Sequence, residues 1–183
     1  MATLGTETMM RAVVAVTALA VLGIGSAAAD EQLSPIAASG DWVAMAHRTS
    51  MVAQPDVCAA LTISNGTMVG LRASGQDIEL RVANDGWSLP AEVSGDVHLA
   101  IADWSADLEV GSNMDSWVAA PISQDQIGPL LQKASQASAM TVTVGKAKPI
   151  TVSLAGSAKV LNAFRTCADI HGGDAKGGDN PFK

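Results

Sequence analysis

The side chains suited to chemistry are few and scattered. His47, His98 and His171 are the only histidines. Asp96 and His98 stand two residues apart, so a strand would set both on one face, where they could ligate a metal. The competing reading is two solvent-facing residues on a half-exposed strand. No H-x-x-x-H or H-E-x-x-H spacing and no Cys/His cluster accompanies them, so no metal site is expected. Ser157 follows Gly156, but Leu-Ala-Gly-Ser-Ala is not the G-x-S-x-G elbow of a nucleophilic serine; a helix-capping role fits it better. Asp103 with Asp107, and Glu109 with Asp115, are pairs of the kind that serve hydrolysis. Solvated acidic loops account for them more simply. The glycines from Gly172 to Gly178 lack P-loop order. No catalytic residue and no cofactor is therefore expected, and the chain reads as a non-enzyme.

The tryptophans carry more information. There are four, with two Phe and no Tyr, so Trp42, Trp87, Trp104 and Trp117 supply nearly all the aromatic surface. Tryptophan anchors cores, and it is also enriched at interface hot spots and stacks on sugars. Trp42 and Trp87 read as core anchors. Trp104 and Trp117 flank the irregular stretch 103–121, and they are the residues expected to bind a partner.

The first thirty residues set the compartment. Arg11 precedes an apolar run from Ala12 to Ile24, which Gly25 and Ser26 interrupt before Ala27-Ala-Ala29. A basic start, an apolar centre and small residues at a cut form a signal peptide, expected over residues 1–29 with cleavage after Ala29. The alternative is an uncleaved anchor, for which the run is short against the ~20 residues of a span. No Cys stands at the cut to suggest a lipoprotein. No later stretch is apolar enough to span, so the cleaved product is not expected to be an integral membrane protein. Periplasmic or secreted localisation follows.

The net charge of −7 argues against nucleic acid, whose binding rests on Lys and Arg neutralising phosphates. Two cysteines, Cys58 and Cys167, read as a disulfide in an oxidising compartment. Buried free thiols and a redox pair are the alternatives; the C-x-x-C spacing usual for the latter is absent.

The elements that must position these residues are mostly strands. Residues 30–40 are small and polar and read as a loose arm. Asp41–His47, Cys58–Ile63 and Thr67–Ser74 alternate, with Ser64-Asn65-Gly66 as a hairpin turn between the last two. Ile78, Leu80 and Val82 alternate with Glu79 and Arg81. Val97, Leu99 and Ile101 make a further strand, and residues 103–121 hold one or two short strands split by Gly111-Ser112-Asn113. Ser123 opens a helix with Ile127, Leu130, Leu131 and Ala134 on one face, with Gln126 as the capping-box partner. Pro129 sits late for a first turn and allows a start nearer Gly128. Met140–Val144 and Ile150–Leu154 are strands, and Gly156-Ser157 caps a second helix with Val160, Leu161 and Phe164 inward. Alternating strands bury one face each, which fits antiparallel sheet. The fold class is α+β: mainly antiparallel, sandwich-like, with two helices in the C-terminal half. The domain is expected over residues 41–171, with a disordered tail at 172–183.

The layout resembles a known family. Its marks are a Trp-bearing first strand, hairpins, the link Trp87-Ser-Leu-Pro90, and a strand ending Leu-Ala-Ile-Ala-Asp103. After the Asp125–Leu131 helix and the Met140–Val144 strand comes Val152-Ser-Leu-Ala-Gly156-Ser-Ala-Lys-Val-Leu161. The Ser-Leu-x-Gly followed by an Ala/Leu helix is the most specific piece. Together these resemble the periplasmic proteins of the invasion-associated locus B type and their uncharacterised relatives in alphaproteobacteria. That family carries a Cys soon after the first Trp and tends to a second disulfide; here Trp42 is followed by Val-Ala-Met-Ala, and only two Cys exist. The resemblance implies a compartment and an architecture, and no catalytic residue. The expected function is a non-enzymatic envelope protein that binds another envelope protein or a surface polymer. The alternatives are an inhibitor of a secreted hydrolase and a carboxylate-dependent hydrolase.

Overall fold

Among the described residues, eleven strands, most of them built on alternating apolar and polar side chains, form two antiparallel sheets, and two helices complete the core. A computed structural model describes residues 33–48 and 54–170. The leader and the tail expected at 1–29 and 172–183 lie outside the described residues, as does His171. The large sheet takes β1 (Ser34–Ser39), β2 (Trp42–His47), β3 (Val57–Ser64), β4 (Thr67–Ser74), β5 (Asp77–Asn84), β8 (Ser112–Met114) and β9 (Trp117–Pro121). Its order is β1-β2-β3-β4-β5-β9-β8. The small sheet runs β11-β10-β6-β7, from β6 (Asp96–Ile101), β7 (Trp104–Glu109), β10 (Ala139–Val144) and β11 (Ile150–Ser153). The α+β, mainly antiparallel class read from the pattern is the observed one.

Two expectations change. Residues 34–39, read as part of a loose arm, pair with β2 as an edge strand. An edge strand needs a partner on one side only, and the register shift between Pro35 and Ala37 accommodates the missing proline N–H. The Gly111-Ser112-Asn113 break is itself the start of β8, so residues 103–121 hold three strands. Asn113 secures that segment: its Nδ2 donates to the Pro90 carbonyl at 2.8 Å, and its Oδ1 accepts the Val93 N–H at 3.2 Å.

The core lies between the inner faces. Register places Trp42, Ala44, Thr62, Ala60, Cys58, Val69, Leu71, Ala73, Ile78, Leu80 and Val82 on the inner face of the large sheet. Val97, Leu99, Ile101, Leu108, Met140, Val142 and Val152 oppose them from the small sheet, and all of these apolar residues join one cluster. The helices close the rest: α2 (Ser157–Cys167) packs on β1, β2 and β3, and α1 (Gln124–Gln136) packs on α2. Cys58 and Cys167 form the disulfide, with Cα atoms 6.0 Å apart. It ties the last helix to the third strand. Among the described residues, no helix is long and apolar enough to cross a membrane.

The helix ends explain their sequences. Ser123 is the N-cap of α1, and the Gln126 carboxamide oxygen accepts both the Ser123 hydroxyl at 2.7 Å and its N–H at 3.2 Å. Pro129 is carried inside the helix. Ser157 does not cap its own helix as expected: Gly156 is the N-cap of α2, and Ser157, at 1% exposure, donates its hydroxyl to the Ala134 carbonyl at 2.9 Å. Ala134 lies in the last turn of α1, where carbonyls lack helical donors, so the buried serine satisfies an orphan acceptor and joins the two helices. Ser157→Ala should cost about 1–3 kcal/mol by leaving that carbonyl unpaired. Urea unfolding measures it, and a loss within error of zero would show that another donor takes over.

Candidate binding interface

Strand register also determines what the large sheet presents on its other face. Residues directly opposite in an antiparallel ladder share a side, so rows can be followed across strands. One row runs Ile63, Met68, Ala83, Trp117, Met114, crossing β3, β4, β5, β9 and β8. Every member is apolar. The neighbouring row runs Val43, Leu61, Gly70, Arg81, Ala119. The next runs Met45, Ala59, Arg72, Glu79, Pro121. The outer face is thus apolar toward one end of the strands and gains charge toward the other.

Both helices pack on the inner side, so neither covers these rows. Ile63 is 62% exposed and Met114 41% exposed. Met68 and Trp117 between them are half-buried. Gly70 and Ala83 keep the middle of the first two rows low. At Gly70 a Cβ would meet the Ala60 carbonyl oxygen and the Leu61 Cβ, each at 2.8 Å, so only glycine fits that place unless β3 shifts.

Charge on this face is organised around the tryptophan. The Arg81 guanidinium carbon lies 4.8 Å from the Trp117 ring centroid, a cation–π contact. Arg81 Nε donates to Glu79 Oε1 at 2.6 Å, and the Arg72 guanidinium stands 3.8 Å from the same oxygen. Glu79 therefore holds the guanidinium that lies over Trp117. Trp, Arg and Met are the side chains enriched at protein interfaces, and a pre-set Trp–Arg pair loses little rotamer freedom when a partner arrives.

The other candidate residues fall elsewhere. Trp104 pairs with Ile101 on the small sheet and packs half-buried against the core. Trp104 and Trp117 thus belong to different sheets, and the structure does not bring them into one site. Trp42 is 3% exposed, and its Nε1 donates to the Ser153 carbonyl at 2.8 Å; Trp87 is half-buried against the core. Asp96 and His98 do share the outer face of the small sheet, but His98 Nδ1 is engaged by Asp107 at 2.7 Å. His47 is held in the same way by Asp56 at 2.6 Å. That hydrogen bond keeps the Asp56 carboxyl below the usual carboxylate range. Asp103 is drawn off by Lys133 at 2.6 Å, which likewise holds its carboxyl low, so Asp103 and Asp107 serve separate partners, Lys133 and His98. Among the described residues, no group of three or more His, Cys, Asp or Glu could hold a metal ion.

Ile63, Met68 and Met114 were not singled out from the sequence. Their signal was present in β3, where Ala59, Leu61 and Ile63 are apolar although Cys58, Ala60 and Thr62 already fill the inward positions. No family model, curated protein or solved structure matches the chain.

Proposed function

We propose that this is an exported, non-enzymatic binding protein of the cell envelope, acting in the periplasm after removal of residues 1–29. It engages a protein partner through the row Ile63–Met68–Ala83–Trp117–Met114. The observation that carries this reading is the apolar row, which no described helix covers, with Arg81 set over its one aromatic ring. Exposed contiguous apolar surface on a folded chain marks interaction sites. The disulfide supports an oxidising compartment, and the resemblance to the invasion-associated locus B type points to the periplasm. In this reading Trp117 is the aromatic anchor of the row, with Met68 and Met114 beside it, and Trp104, on the other sheet, lies outside it.

The experiment is site-specific photocrosslinking from position 63 or 114 in the native envelope. One reproducible adduct is expected. A hot-spot truncation costs about 2 kcal/mol or more, so Trp117→Ala should weaken capture about 30-fold while Trp104→Ala, if folded, leaves it near wild type. Equal capture by wild type and Trp117→Ala, with both proteins folded, would remove the outer face as the site.

A further inference from the structure

A second surface lies on the opposite side of the large sheet, where β11 is one of the two edge strands of the small one. The Leu154 N–H donates to the Ser138 carbonyl at 2.9 Å. In an antiparallel ladder, bonded positions recur every second residue, so Ile150 and Val152 also turn their backbone groups to β10. Thr151 and Ser153 turn theirs away. The Ser153 carbonyl fits this assignment, since it accepts the Trp42 indole N–H. What remains is a short array: the Pro149 carbonyl, the Thr151 N–H and carbonyl, and the Ser153 N–H. No described strand pairs with them.

That edge borders a groove of about 260 Å³. Its other wall is the end of the β3–β4 hairpin, with Thr62, Ser64 and Thr67. Among the lining residues there is no aromatic ring on which a sugar could stack. Backbone donors and acceptors at strand spacing are what an extended peptide recognises when it adds to a sheet. The turn leading into β11 carries Lys146 and Lys148, both exposed, on a chain of net charge −7. Four residues and Pro149 keep this edge too short to pair along a long strand, which limits the ligand to a three-residue register.

We propose that the β11 edge takes an extended peptide as an added antiparallel strand, with small or hydroxyl side chains toward Thr62 and Thr67 and an acidic side chain beside Lys146 and Lys148. The groove and the outer face are separate, so this proposal stands or falls independently of the one above.

The test is a phage-displayed random heptapeptide library selected on the purified protein, followed by amide hydrogen exchange with the enriched peptides. Enrichment of alternating small or hydroxyl residues with a flanking acid is expected, with slowed exchange at Thr151 and Ser153. One backbone hydrogen bond is worth about tenfold in affinity at the upper end. N-methylating the peptide at the residue opposite Thr151 should cost about that, as should Thr151→Pro, which deletes only an outward N–H. Thr151→Val keeps the N–H and should bind within about threefold of wild type. If Thr151→Pro does not fold, the N-methylated peptides decide the matter on the wild-type protein. No enriched peptide, full binding by N-methylated peptides, or protection confined to Met68 and Trp117 would each overturn the proposal. So would a shift of Thr62 and Thr67 resonances by maltohexaose where peptides have no effect, since that would make the groove a glycan site.

Discussion

Removing the disulfide, as Cys58→Ala with Cys167→Ala, should destabilise the protein by about 4–5 kcal/mol. The two cysteines are 109 positions apart. Closing a loop of that length removes conformational entropy from the unfolded chain, worth about 4.7 kcal/mol in the chain-entropy account. For a domain of this size each 1 kcal/mol moves the melting temperature by roughly 2–4 °C, so a fall of roughly 10–20 °C is expected. The effect should reside in the unfolded state. A chain released from a long covalent loop exposes more surface, so the denaturant slope m should rise as the midpoint falls. The wild-type protein under dithiothreitol should behave as the double variant does. A loss below about 1 kcal/mol would contradict the chain-entropy account, because the helix would then be held as well by Val160, Leu161 and Phe164 alone. The outer face provides an internal control. Cys58 points to the inner side of β3 and Ile63 to the outer, so a folded variant should give the same photocrosslinking from position 63 as wild type.

Local pattern made much of this architecture legible. Ile78, Leu80 and Val82 set against Glu79 and Arg81 placed β5 and its buried face, because a one-sided strand writes its register in period two. Asn65-Gly66 marked the β3–β4 turn, and both residues take positive φ, 50° and 71°. The Cys58–Cys167 pairing followed from having only two cysteines in a chain whose first thirty residues read as an export signal. The misses share one cause, which is dependence on distant partners. β1 is Ser-Pro-Ile-Ala-Ala-Ser, with little strand propensity, and it forms because β2 offers an unpaired edge. β8 is three residues long and depends on pairing with β9 and on the two hydrogen bonds of Asn113.

The candidate face was harder to see for a related reason. Trp104 and Trp117 lie thirteen positions apart in a stretch of similar composition, yet β7 joins β6 while β9 crosses to β5. Nothing within the stretch encodes that change of sheet. Nor does period two distinguish a strand covered on both faces from one with an apolar face open to solvent. The run from Cys58 to Ile63 fits either description until the helices are found on one side only.

The linker between β11 and α2 should tolerate substitution least. Gly156→Ala is expected to cost about 2–5 kcal/mol, combining two independent penalties. Gly156 has φ of 85°, in the left-handed region that costs an L-residue about 1–2 kcal/mol. An added Cβ would also run into the Ser39 backbone, with the carbonyl carbon at 2.7 Å, and overpacking of that kind adds about 1–3 kcal/mol. The obstacle is backbone from β1, so no side chain can rotate away. The neighbours explain why the residue cannot simply move. Leu154 is buried on one side, and on the other Ser157 is buried with its hydroxyl on Ala134. The chain must leave the sheet, pass under Ser39 and enter α2 within three residues. That requirement accounts for the Leu-x-Gly-Ser order between β11 and α2. Calorimetric melting of Gly156→Ala beside Gly145→Ala separates the two penalties. Gly145 has φ of 52° with nothing within 4 Å of a built Cβ, so it should lose only the conformational part, about 1–2 kcal/mol. Equal losses at the two positions would show that β1 yields to the added methyl, and that its pairing with β2 is looser than the register implies.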